Sequence, residues 1–136
     1  MRSRTSDQGE LESQASPRGH GQQQRKEEQR LAGWLRELLA AARRDLEYLY
    51  GPRLRGLYLF GSQARGDAES GSDVDLLIVL DQVHHYVGEV RRTSQITADL
   101  ALQYDVSVST VFVSESDWLQ GGGPFLMNVR LDAIAA

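Results

Sequence analysis

Between Leu57 and Leu80 the chain reads LYLFGSQARGDAESGSDVDLLIVL. An apolar run closes on Gly61-Ser62, ten residues follow, and Asp73-Val74-Asp75 leads into a second apolar run. Short apolar runs bounded by small polar residues read as buried strands rather than helices. The pattern therefore commits the chain to a sheet. It holds a tight turn and two carboxylates at the edges of two neighbouring strands.

The rest of the chain supplies helices to cover that sheet. Apolar residues at Leu31, Trp34, Leu35, Leu38, Ala42, Leu46 and Leu49 fall in steps of three and four, which predicts a helix over Leu31–Tyr50. Gly51-Pro52 should stop it. Strands are predicted over Gly56–Phe60, Val74–Leu80 and Val106–Val113, with a helical turn after Ser62. A helix is expected over His84–Tyr104, with Val87, Val90, Ile96, Leu100 and Leu102 inward. Ser114 to Asp117 offers caps for a short turn through Trp118-Leu119. The run Gly121-Gly122-Gly123-Pro124 reads as a flexible break, and Phe125–Ile134 as a last helix carrying Phe125, Leu126, Val129 and Ile134 on one side. A small sheet covered by helices is an α/β or α+β domain.

At 136 residues there is room for one domain. Residues 1–30 are dense in Gln, Ser, Gly, Glu and Arg, with only Met1, Leu11 and Ala15 clearly apolar. Such a segment buries too little surface to offset its ordering entropy, so it is expected to be disordered. The domain is then expected over residues 31–136. The net charge is −4, and the pI near 5.3 argues against a nucleic-acid-coating protein. No signal-peptide core and no run long enough to span a bilayer is present, which predicts a soluble cytoplasmic protein without membrane contact. Cysteine is absent, which removes disulfides and thiolate metal sites. The single lysine, Lys26, lies in the polar head, so the folded part has no lysine for a phosphate loop or a Schiff base.

The chemistry concentrates in the opening stretch. Side chains two apart on a strand share a face, so Asp73 and Asp75 point the same way. Two carboxylates side by side repel and raise one another's pKa unless a cation lies between them. Hard oxygen donors suit Mg²⁺ or Mn²⁺. Gly61 lets backbone approach a ligand closely, and Ser62 with nearby N–H groups could hold a phosphate. Arg65 offers a planar fork to phosphate oxygens, or an ion pair to Asp67 or Glu69. His84 and His85, just past a strand, read as solvated side chains. Trp34 and Trp118 read as core or interface.

Gly61-Ser62 followed by Asp73-x-Asp75 resembles the signature of the polymerase-β-like nucleotidyltransferase superfamily. The form Gly-Ser-x-Ala-Arg-Gly, then Ser-Asp-x-Asp-Leu-Leu, is similar to its small prokaryotic branch, the minimal nucleotidyltransferases. The resemblance covers about Leu31 to Val113. It implies a nucleoside triphosphate bound with two metal ions, the phosphates at Gly61 and Ser62 and the metals at Asp73 and Asp75, with Arg65 a further candidate for the phosphates by its own chemistry. It implies transfer of a nucleoside monophosphate, AMP from ATP, to an acceptor hydroxyl. Members of this branch stand beside HEPN-domain proteins, and some are antitoxins that adenylylate the HEPN toxin. No acceptor domain is visible in the sequence, which favours a protein acceptor. A small-molecule acceptor of the aminoglycoside kind, or a non-catalytic module that masks a partner, stays open.

The resemblance also implies a third carboxylate on the next strand, as metal ligand and general base. That strand has Ser107 and Ser109 at the expected places. Asp105 precedes it in the phase of Ser107 and is the leading candidate. Glu115, beyond the strand, is the weaker one.

Overall fold

The computed structural model describes residues 31–136. The expected disordered head, residues 1–30, lies outside the described residues. Helix α1 runs Gly33–Tyr50, a 3-10 turn Gly51–Arg53 follows, and strand β1 spans Leu54–Phe60. A one-turn helix α2 covers Ser62–Arg65, and strand β2 covers Val74–Leu80. Helices α3 (Tyr86–Arg92) and α4 (Ser94–Tyr104) lead to strand β3 (Val108–Ser114). Helices α5 (Glu115–Gln120) and α6 (Pro124–Asp132) precede a short strand β4, Ile134–Ala135.

The strands form one mixed sheet in the order β3-β2-β1-β4. β1 is antiparallel to β2 and to β4, while β3 runs parallel to β2. An antiparallel pair needs only a short link, and the segment from Gly61 to Asp73 provides it. The parallel pair needs a crossover, which α3 and α4 supply.

Alternation along the strands divides the side chains between two cores. Leu57, Leu59, Val74, Leu76, Ile78, Leu80 and Phe112 pack with α1 and with Leu100 of α4. Tyr58, Phe60, Leu77, Val79, Val111 and Val113 face the other way, toward Trp118 of α5 and Val129 of α6. The Trp118 ring lies 4.6 Å from that of Tyr58, and Arg130 sits over its other side.

Several predicted boundaries and inward faces move. The expected helix over His84–Tyr104 breaks at Thr93. Its hydroxyl donates to the carbonyls of Glu89 and Val90, so the side chain competes with the helix ladder. The break turns Val87 and Val90 outward, at 63% and 40% exposure, and Leu102 at 85% also faces solvent. On α1 the buried stripe takes in Leu39 and Tyr50 and leaves Trp34 and Leu49 partly exposed. The last predicted helix stops at Asp132, and Ile134 turns into β4 against Leu59. That pairing buries Ile134, while Phe125 stays about half exposed against Phe60.

One polar cluster lies within the fold, away from the carboxylate pair. Glu89 is 5% exposed and accepts hydrogen bonds from Tyr50 Oη at 2.6 Å, Arg92 Nε at 3.1 Å and Arg53 Nη2 at 3.2 Å. Arg53 also pairs with Asp81 at 3.0 Å. Burial works against the Glu89 charge, but these donors more than offset it and hold its pKa below the usual carboxylate value.

Candidate active site

β1 ends at Phe60, which stands opposite Asp75 in the antiparallel pair. The chain then turns through Gly61, with φ +78° and ψ −158°, into α2. That backbone conformation is essentially restricted to glycine. The packing is close as well, because a Cβ at Gly61 would lie 2.3 Å from Oδ2 of Asp75, which would have to move aside. The turn and the carboxylate therefore occupy adjoining space, and a side chain at Gly61 would displace the Asp75 carboxylate as well as strain the backbone.

The Gly61 carbonyl accepts from the N–H groups of Ala64 and Arg65, and the Ser62 carbonyl from those of Gly66 and Asp67. The N–H groups of Ser62 and Gln63, at the start of the turn, have no backbone acceptor among the described residues. They follow Gly61, which adjoins Asp75, and are open to an anion. The segment that returns to β2 is held at two points. Gln63 Nε2 donates to the Ser72 carbonyl at 3.3 Å, and the Glu69 N–H donates to the Ser72 hydroxyl at 2.9 Å.

Asp75 shares the face of Leu77 and Val79, the face covered by α5 and α6. Its pKa is raised, first by burial and then by the Asp73 carboxylate, with Arg65 pulling the other way. Mutual repulsion at a half-buried site is what a hard divalent cation relieves. The oxygen donors and the room left by Gly61 fit such an ion. Arg65 reaches Asp67 at 3.3 Å and Asp132 of α6 at 3.8 Å. Its guanidinium thus lies over the same face, drawn toward the C-terminal helix.

The structure brings Gly61, Ser62, Arg65, Asp73 and Asp75 to one corner of the sheet. Asp105 borders the same corner through Gln63 and Ser72, the chain neighbours of Ser62 and Asp73, but does not join the two carboxylates in a three-carboxylate group. Among the described residues no three His, Asp or Glu side chains gather around a common point. Asp105 caps α4 in the left-handed conformation, with φ +54°, and the Val106 N–H still bonds back to Ala101. The strand begins only at Val108, so the phase that would align Asp105 with Ser107 is lost. Asp105 instead borders a hollow of about 380 Å³ with Trp34, Gln63, Ser72, Tyr104 and Val106. Trp34 comes from α1, and Tyr104 and Val106 pack on the α1 core, on the opposite side of the sheet from Leu77 and Val79.

Glu115 follows Ser114, which pairs with Leu80 at the far end of β2 from Asp75, and it binds Arg55 at 2.8 Å. The position in register with Asp75 on β3 belongs to Ser109. Sequence reading missed the bracing by Gln63 and Ser72. Their only signal was their place inside the loop. It also missed Asp132, which a chain position 57 residues beyond Asp75 does not advertise.

Comparison with known proteins gives the family of the chain. Residues 35–119 match the family described as Nucleotidyltransferase domain. The chain is 29% identical over 80 residues to "Putative protein adenylyltransferase MJ0141" of Methanocaldococcus jannaschii, covering 59% of this chain and 80% of that protein. It is 37% identical over 70 residues to "Putative protein adenylyltransferase MJ0604" of the same organism, covering 52% of this chain and 64% of that protein. A crystal structure from Sulfolobus solfataricus, described as a "putative nucleotidyltransferase", superposes with a TM-score of 0.50 at 20% identity. It covers 86% of this chain and 88% of that one, and the likeness is one of fold. With the family match spanning well over half its length, the chain belongs to the nucleotidyltransferase domain family.

Proposed function

We propose that this protein transfers AMP from ATP to a hydroxyl group of a partner protein, with Mg²⁺ or Mn²⁺ held by Asp73 and Asp75. The observation that carries the reading is the closeness of Gly61 to Asp75, which sets a tight glycine turn directly against a carboxylate pair. The N–H groups of Ser62 and Gln63 and the Ser62 hydroxyl hold the triphosphate. Arg65 swings from Asp67 and Asp132 to its oxygens. The cation, when bound, neutralises charge on the transferring phosphoryl group. Asp73 and Asp75 orient that group, and the room at Gly61 lets it sit close to backbone. A protein acceptor accords with the names of the two archaeal relatives. The acceptor we put forward is a HEPN-type toxin, with this chain as its antitoxin, on the strength of the Gly-Ser-x-Ala-Arg-Gly form.

The test is incubation of the protein with α-labelled ATP, Mg²⁺ and the product of the adjacent gene. Label should pass to that product and vanish in the Asp73→Ala, Asp75→Ala double variant. Label that survives the double substitution sinks the assignment. One observation favours a second reading, a nucleotide-binding module that masks its partner without transfer: Ser109, not an acid, stands in register with Asp75. Silencing of the partner with no label transferred would select it.

A further inference from the structure

Three positions lie in a row across the sheet at the level of the carboxylates. Phe60, followed at once by Gly61-Ser62, stands on β1, Asp75 on β2 and Ser109 on β3. β2 and β3 are parallel and in register there. Val74 pairs with Val108, Asp75 with Ser109, and the Val74 N–H bonds the Ser107 carbonyl at 2.9 Å. Register partners on parallel strands project to the same face, about 4.8 Å apart. Ser109 therefore shares the face of Asp75, a sharing that Val111 and Val113 continue along β3 toward α5. Those valines are partly covered, whereas Ser109 is exposed. Its neighbours Val108 and Thr110 point the other way, so no other hydroxyl of β3 before Ser114 competes on that face.

In-line phosphoryl transfer needs the attacking and leaving oxygens on opposite sides of the reacting phosphorus. If a triphosphate is anchored at Gly61-Ser62 by its β- and γ-phosphates, on the β1 side, its α-phosphate reaches over Asp75, which adjoins Gly61. The attacking oxygen must then come from the β3 side, where Ser109 offers a hydroxyl on a fixed strand. The alternative neighbour, Phe60, offers none.

We propose that Ser109 is a self-acceptor: the protein adenylylates its own Ser109 hydroxyl. The inference rests on the nucleotidyltransferase reading above. Ser109 Oγ bonds to the α-phosphorus, and the bond from that phosphorus to the bridging oxygen of the β-phosphate breaks. Pyrophosphate leaves with the electron pair on the Gly61-Ser62 side, and the hydroxyl proton passes to solvent, to which Ser109 is open. The product is a serine phosphodiester of AMP. Because the adduct sits over Asp75, it also fills the space a second ATP would need, so a modified chain should bind no further nucleotide.

The full chain is incubated with ATP and Mg²⁺ without any partner, then weighed intact and mapped by peptide mass. The expected result is one added AMP per chain on the peptide carrying Ser109. Ser109→Ala loses the adduct and Ser109→Thr keeps it. Both variants should fold as the parent does, since the side chain is exposed. ATP binding is measured in parallel by calorimetry. Binding without an adduct, or an adduct on any other residue including Ser107, overturns the self-acceptor while leaving the nucleotide reading intact. Absence of binding to the unmodified chain overturns both.

Discussion

Replacing Gly61 by alanine should destabilise the fold and break the site together. Two costs add. The backbone at φ +78° and ψ −158° is essentially closed to a residue with a Cβ, at a cost of about 1–3 kcal/mol. The new methyl would also start 2.3 Å from Asp75 Oδ2 and 3.3 Å from its Cγ. Asp75 must rotate off its preferred rotamer, at about 0.5–1.5 kcal/mol. The sum, about 1.5–4.5 kcal/mol, is a large share of the 5–15 kcal/mol typical of a domain. At about 4 °C per kcal/mol for a chain of this size, that corresponds to a fall in Tm of roughly 6–18 °C.

Thermal and urea unfolding of Gly61→Ala, Asp75→Ala and the double variant separate the two costs. Removing the Asp75 carboxylate relieves the collision and leaves the backbone strain. The cycle should therefore return a coupling of about 1 kcal/mol. A Gly61→Ala protein within about 0.5 kcal/mol of the parent would refute the strain argument. Strict additivity with Asp75→Ala would refute the contact.

Further expectations follow from other parts of the molecule. Tyr50→Phe removes the 2.6 Å bond to Glu89 and should cost about 1.5–3 kcal/mol at pH 7 by urea unfolding. The Glu89 pKa is held below 4.5, so its contribution is complete above that pH and is lost as pH falls through the lower, folded value. The Tyr50→Phe penalty should shrink in acid, and a penalty independent of pH would contradict the assignment. Asp105→Gly relieves a left-handed residue and should stabilise by about 0.5–1 kcal/mol with nucleotide transfer kept. Loss of transfer at unchanged stability would return Asp105 to the site. Mg²⁺ at a hundred times its Kd should stabilise the protein by about 2.7 kcal/mol. The effect should be absent from the Asp73→Asn, Asp75→Asn double variant, and a shift that persists there would place the ion elsewhere.

The strand–turn–strand unit was legible because its signals are local. Gly61, Asp73 and Asp75 sit at the ends of apolar runs whose identity as strands follows from length and composition. The phase of Asp105 was misread for a local reason as well. A residue between helix and strand takes its direction from whichever element holds its backbone, and the hydrogen bond from Val106 back to Ala101 keeps that stretch with the helix. The break at Thr93 depends on a side-chain hydrogen bond that competes with the ladder, which periodicity does not register. β4 was hidden because two residues become a strand only when β1 offers them an edge. The place of Asp132 beside Arg65 depends on that same C-terminal return, so no spacing rule reaches it.

The two faces of the sheet divide labour in a way that bears on how such a protein can change. The fully buried leucines, isoleucine and valine are concentrated against α1, whereas the face of Asp75 carries fewer apolar anchors and more open ground. Substitutions around Ser109, Phe125 or Met127 remove little buried surface, so they draw only slightly on the reserve that keeps the chain folded. The sequence of that face can then vary without first repairing the scaffold. The asymmetry of the sheet thus leaves one face free to drift while the other holds the fold.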